Sequence, residues 1–106
     1  MARACIDIGS NSLVFLVVAD QGKTVHDEAA IVGLGKGLGD MGAFQDDRMA
    51  AAMVAFRSFA ATATTHGVRP EHIRAIATSA ARRARNGTEF FHLVADQTGI
   101  CVEVIS

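Results

Sequence analysis

Asp7-Ile8-Gly9-Ser10-Asn11-Ser12 places a carboxylate, a glycine and three small polar side chains between two apolar runs, Ala4-Cys5-Ile6 before and Leu13 to Ala19 after. A tight turn of this composition offers backbone N–H groups, two hydroxyls and an amide to a phosphate, and a neighbouring carboxylate can hold a metal-bound water. On that reading Gly9, Ser10, Asn11 and Ser12 bind a phosphoryl group, and Asp7 serves Mg²⁺. The same residues also read as a β-hairpin with a solvated Ser/Asn turn, and the stretch alone does not decide between the two.

A second cluster bears on the choice. Thr78-Ser79-Ala80-Ala81-Arg82-Arg83-Ala84-Arg85-Asn86-Gly87 follows an apolar run, Ile73 to Ala77, and carries three arginines in four positions. Such a run is ordinarily a solvated helix face, the reading that fits Arg83 and Arg85. Arg82 stands one short turn beyond a strand end, with Thr78 and Ser79 just before it, where α/β proteins place ligands. An arginine fork facing a phosphate-cradling turn makes a site for phosphoryl groups. Taken together, the two stretches favour the phosphate reading over the plain turn.

The elements that must position these residues follow from periodicity. Arg3 to Ile8 and Leu13 to Ala19 read as strands, Asp20-Gln21-Gly22-Lys23 as a turn, and Thr24 to Gly33 as a third, wetter strand at an edge. Residues 33 to 42 hold five glycines in ten positions. Lys36 is followed by Gly37 and not by Ser or Thr, so the stretch is no P-loop. Leu34 and Leu38 suggest a cleft-rim loop pinned by two apolar anchors. A helix is predicted over Asp47–Thr65 with Met49, Met53, Phe56, Ala60 and Ala63 on its buried stripe, Gln45 or Asp46 at its N-cap and Gly67 beyond its end. Ile73 to Ala77 is the fourth strand, and Ala80 to Arg85 a short helical segment. Thr88 caps a helix over Glu89–Gln97, and Ile100 to Ile105 is the last strand. The order β-β-β-α-β-α-β predicts a five-stranded mixed sheet, a meander followed by two right-handed crossovers, with helices packed on it. This is the ribonuclease-H-like arrangement of the actin-like ATPases.

Composition narrows the classes. Half of the 106 residues are hydrophobic, and ten basic side chains nearly balance eleven acidic ones. Disorder and bulk-charge binding of nucleic acid are therefore not expected. No apolar run has the length of a membrane span, and the start is not that of a signal peptide, so the expected setting is cytoplasmic with no membrane partner. Cys5 and Cys101 lie in apolar runs without metal-ligand spacing and read as reduced core residues.

Asp7-Ile8-Gly9-Ser10-Asn11-Ser12, Leu34-Gly35 with Gly37-Leu38, Ala77-Thr78-Ser79-Ala80 with Arg82, Ala84, Asn86 and Gly87, then Thr98-Gly99-Ile100 and Glu103-Val104-Ile105-Ser106, together resemble the N-terminal part of the exopolyphosphatase / guanosine pentaphosphate phosphohydrolase (Ppx/GppA) family. The resemblance spans essentially the whole chain. It implies Mg²⁺-dependent cleavage of a terminal phosphoanhydride in inorganic polyphosphate or guanosine pentaphosphate. Arg82 and Asn11 would act in catalysis. Gly9, Ser10, Asn11, Ser12, Thr78, Ser79, Arg82 and Asn86 would hold or shape the substrate site, and Asp7 would position Mg²⁺ through water. The family pattern also implies a water-activating glutamate just past Ser106 and a second phosphate loop in a partner lobe. Residues 1–106 are accordingly expected to be part of the first lobe of a two-lobed enzyme, inactive in isolation. Such a lobe exposes apolar surface, which allows a homodimer. Two other readings share the fold: the ATP-binding lobe of a sugar-kinase or Hsp70-like ATPase, and a binding domain without chemistry.

Overall fold

The computed structural model describes residues 1–78, 81 and 83–105. Its elements are β1 (Arg3–Ile8), β2 (Ser12–Val18), β3 (Thr24–Ile31), a one-turn helix α1 (Leu38–Met41), α2 (Asp46–Thr65), β4 (Arg74–Ala77), α3 (Gly87–Thr98) and β5 (Val102–Val104). The strands form one sheet in the order β3-β2-β1-β4-β5. The first three pair antiparallel, while β1 with β4 and β4 with β5 pair parallel. The mixed sheet with helices on it is thus the architecture expected, and α1, inside the glycine-rich stretch, is an added element.

Alternation along β1 and β2 decides what is buried. Ala4, Ile6, Ile8, Leu13, Phe15 and Val17 face the helices. Phe56 and Phe59 meet them from α2, and Phe15 stacks on Phe59 with ring centroids 4.6 Å apart. Burying each of these rings stabilises the fold by about 1.5–3 kcal/mol. From α3, Phe90 and Phe91 meet Phe44 edge-on, both at 6.1 Å, so the core extends under the loop that joins α1 to α2. The opposite positions of β1, namely Arg3, Cys5 and Asp7, are exposed. On that face Val14 and Ile105 are exposed apolar side chains.

Three local expectations are corrected. Cys5 and Cys101 are exposed, not core: at Cys5 a run of apolar letters concealed a strand with one bare face, and Cys101 stands before the last strand. The last helix begins at Gly87 with Asn86 at its N-cap, so Thr88 is inside the first turn. A Cβ on Gly87 would lie 2.7 Å from the Ala81 carbonyl oxygen, and only glycine allows the helix to start so close to the preceding segment. The last strand contracts to Val102–Val104. Of the short helical segment predicted over Ala80 to Arg85, Ala81 and Arg83 are helical, and Ala80 and Arg82 lie outside the described residues.

No helix among the described residues is long and apolar enough to cross a membrane.

Candidate functional site

β1 is the centre of the sheet, and the site is built at its carboxyl end. The parallel register sets Asp7 beside Ile76 and Ile8 beside Ala77, which brings the Gly9–Ser12 turn next to Thr78 as the strand order predicted. Asp7 lies on the bare face of the sheet. It lines a groove of about 320 Å³ with Cys5, Arg74, Ile76, Thr78 and Ile105 among its walls. Asp7 and Thr78 are thus brought together.

The turn itself is held by its carbonyls. Gly9 N–H donates to Ser12 O at 3.0 Å, while Ser10 O accepts from Gly35 N–H and Asn11 O from Gly33 N–H, each at 2.8 Å. The amide groups of Ser10 and Asn11 have no backbone acceptor among the described residues, and both side chains are exposed. A turn that has committed two carbonyls to a neighbouring loop and left the Ser10 and Asn11 N–H groups unpaired among the described residues is suited to an anion. Ser12 opens β2 opposite Ile31, so its backbone belongs to the sheet.

The glycine-rich loop acts as a buttress. Leu34 and Leu38 are buried, the two anchors expected of a cleft-rim loop. At Gly35 a Cβ would come within 2.6 Å of Ser10 Cβ, which only glycine avoids. Arg48 donates from Nη1 to Val32 O at 3.2 Å, and its hydrogen bond to Asp47 holds that carboxyl below its usual range.

The segment after β4 is divided among different tasks. Asn86, expected to touch or shape the substrate site, has both amide ends engaged. Its Oδ1 accepts from Phe44 N–H at 2.9 Å, and its Nδ2 donates to Phe44 O at 3.1 Å. Through both bonds it clamps the loop between α1 and α2. Arg85, read as a solvated residue, donates to Met41 O, and its own N–H bonds Gly42 O. Arg83, also read as solvated, lines a groove with Ser10 and the glycine-rich loop. Ser79 and Arg82 lie outside the described residues. None of these side-chain-to-loop pairings leaves a sequence signal, because partners such as Phe44 and Asn86 are distant along the chain.

The donor set bears on the metal. No group of three or more His, Cys, Asp or Glu side chains able to hold an ion occurs among the described residues. A single exposed carboxylate, Asp7, fits Mg²⁺, which keeps waters and shares one or two carboxylates with substrate phosphates. It does not fit a cage made of protein alone.

The sheet order and the strand-end turn define the actin-like ATPase, ribonuclease-H-like class. Residues 13–106 match the Ppx/GppA phosphatase family, and the chain belongs to that family. It is 38% identical over 104 residues to exopolyphosphatase 2 of Mycobacterium tuberculosis, a match covering 91% of this chain and 32% of that protein. Among solved structures it superposes on the Aquifex aeolicus Ppx/GppA phosphatase with a TM-score of 0.93 at 30% identity, over 99% of this chain and 35% of that one. A Cytophaga hutchinsonii exopolyphosphatase gives a TM-score of 0.91 at 30% identity, over 99% and 34%. The chain therefore spans about a third of the length of the relatives it matches.

Proposed function

We propose that this chain supplies the phosphate-holding part of a phosphohydrolase that removes the terminal phosphate of inorganic polyphosphate or guanosine pentaphosphate. The observation that carries the reading is the Gly9–Ser12 turn, with the Ser10 and Asn11 N–H groups unpaired among the described residues and the turn set beside Thr78 at the seam of β1 and β4. Family membership supports the reaction type.

In this mechanism the Ser10 and Asn11 amides and the Ser10, Asn11 and Ser12 side chains hold the oxygens of the terminal phosphoryl group. Fixed donors aimed at those oxygens act where charge accumulates as the phosphoanhydride breaks. Arg82 is assigned the cationic part of that stabilisation, and Thr78, Ser79 and Asn86 bound the space. Asp7 would hold Mg²⁺, which when bound neutralises charge on the bridging and transferred oxygens. Among the described residues no glutamate lines the groove beside Asp7. The reading keeps the water-activating glutamate where the family resemblance implies it, just past Ser106, and the second phosphate loop in a partner lobe of a longer cytoplasmic protein.

The test is Mg²⁺-dependent phosphate release by the complete protein from long-chain polyphosphate and from guanosine pentaphosphate. Arg82→Ala is expected to lower turnover on the order of 10²-fold, about 3 kcal/mol, the loss typical of one transition-state donor. Arg85→Ala should lower it far less. Absence of activity on both substrates together with clean ATP turnover overturns the proposal.

A further inference from the structure

Arg83 lines a groove of about 390 Å³ with Ser10, Gly35, Leu38, Gly39 and Gly42. That volume is within the range of roughly 300–1,000 Å³ found for small-ligand sites. Ser10 belongs to both this groove and the phosphate turn, so the two spaces adjoin. Among the described residues Arg83 is the one charged residue lining the groove, and it has no carboxylate partner there. Asp40, exposed on α1, does not line the groove.

Gly39 supplies an independent observation. Gly35 is required by its contact with Ser10 Cβ, and Gly37 and Gly42 by φ of +78° and +69°. Gly39 has neither reason: its φ is not positive, and among the described residues a Cβ there would meet nothing within 4 Å. Glycine inside a helix is destabilising relative to alanine, so the fold of α1 does not account for it. What the missing side chain leaves is room, in the wall of the groove that Arg83 also lines.

We infer that the groove between α1 and Arg83 is an extension subsite for a second phosphate of the same substrate, further along the chain than the phosphate at the Gly9–Ser12 turn. The inference rests on the phosphate reading of that turn. Arg83 is the counter-charge, and its guanidinium suits a phosphate oxygen pair. Gly39 keeps the path open. The ligand class is a linear oligophosphate, and a single orthophosphate reaches the turn without entering the groove.

The test is calorimetric titration of this chain, at fixed Mg²⁺, with orthophosphate and with tripolyphosphate. Wild type is expected to bind tripolyphosphate more tightly. Arg83→Ala should lower tripolyphosphate affinity about tenfold, the loss of one charge-assisted contact, and change orthophosphate affinity less than twofold. Arg83→Lys should fall between. Gly39→Leu should reproduce the tripolyphosphate loss while the thermal midpoint stays level or rises, because leucine is the better helix former. Arg57→Ala removes one positive charge on α2, outside the groove, and should leave both affinities unchanged. If wild type binds neither ligand, the phosphate reading of the turn falls and the inference with it. The inference alone is overturned in three cases: wild type binds both ligands equally, Arg83→Ala weakens both alike or neither, or Gly39→Leu keeps wild-type tripolyphosphate affinity.

Discussion

The two walls at the carboxyl end of β1 are built on opposite principles. The glycine-rich loop and the chain leading into α2 occupy their polar groups internally. Gly33 and Gly35 bond the turn, Phe44 is bonded at both backbone groups by Asn86, and Met41 and Gly42 receive Arg85. Leu34, Leu38 and Phe44 are buried beneath. The Gly9–Ser12 turn bonds that loop through its Ser10 and Asn11 carbonyls, and its Ser10 and Asn11 side chains are exposed with no partner among the described residues. One wall is scaffold and the other presents donors. Stability and binding should therefore respond to different residues, although the two walls touch.

Substitutions can break that division. Phe44→Ala should have the largest effect, about 3–5 kcal/mol of unfolding free energy, because it empties a buried ring site against Phe90 and Phe91 and loosens the loop. Denaturant unfolding measures it. Asn86→Ala should follow at about 1–3 kcal/mol, since two backbone groups of Phe44 lose their partner. Asn86→Asp keeps the acceptor and removes the donor, so it should fall between wild type and the alanine variant. Asn11→Ala should do the reverse: a stability change within about 0.5 kcal/mol, accompanied by a clear loss of phosphate affinity by calorimetry. If Asn11→Ala proves as destabilising as Asn86→Ala, the turn is scaffold too and the comparison collapses.

The smallest effect concerns pH. The Arg48 guanidinium holds the folded Asp47 carboxyl below its ordinary value of 3.8. A lowered folded value contributes stability above the unfolded value and loses it as pH falls through the folded one. Asp47→Asn should therefore slightly reduce the wild-type decline in denaturant midpoint on acidification from about pH 6 to 3. Because the carboxylate is exposed, solvent screens the pair and the change should be slight. A steeper acid decline in the variant would reverse the assignment.

Much of the architecture was legible because local chemistry and tertiary structure agree. The α2 stripe of Met53, Phe56, Ala60 and Ala63 is buried as its spacing predicts, and Gly67, at a φ of +81°, follows its end. The adjacency of the turn to Thr78 came from strand order and holds in the parallel register. The hidden parts depend on which face is covered or on distant partners. Cys5 shares an apolar run with Ile6, and only the bare side of the sheet separates them. Arg83 and Arg85 are two positions apart and looked alike. The difference is that Met41 O lies within reach of Arg85, while Arg83 lines the groove beside the glycine-rich loop.

The seam between β1 and β4 also bears on how the molecule forms. The meander β1–β3 pairs neighbours along the chain and can close through short turns, carrying the Gly9–Ser12 turn with it. Asp7 and Ile76 meet only after the long intervening segment has closed into a loop, an entropic cost that non-local parallel pairing must meet before it is rewarded. The site therefore assembles in two stages, with the donor turn early and its Thr78 side late. The late step that completes the sheet is also the one that sets Thr78 beside the turn.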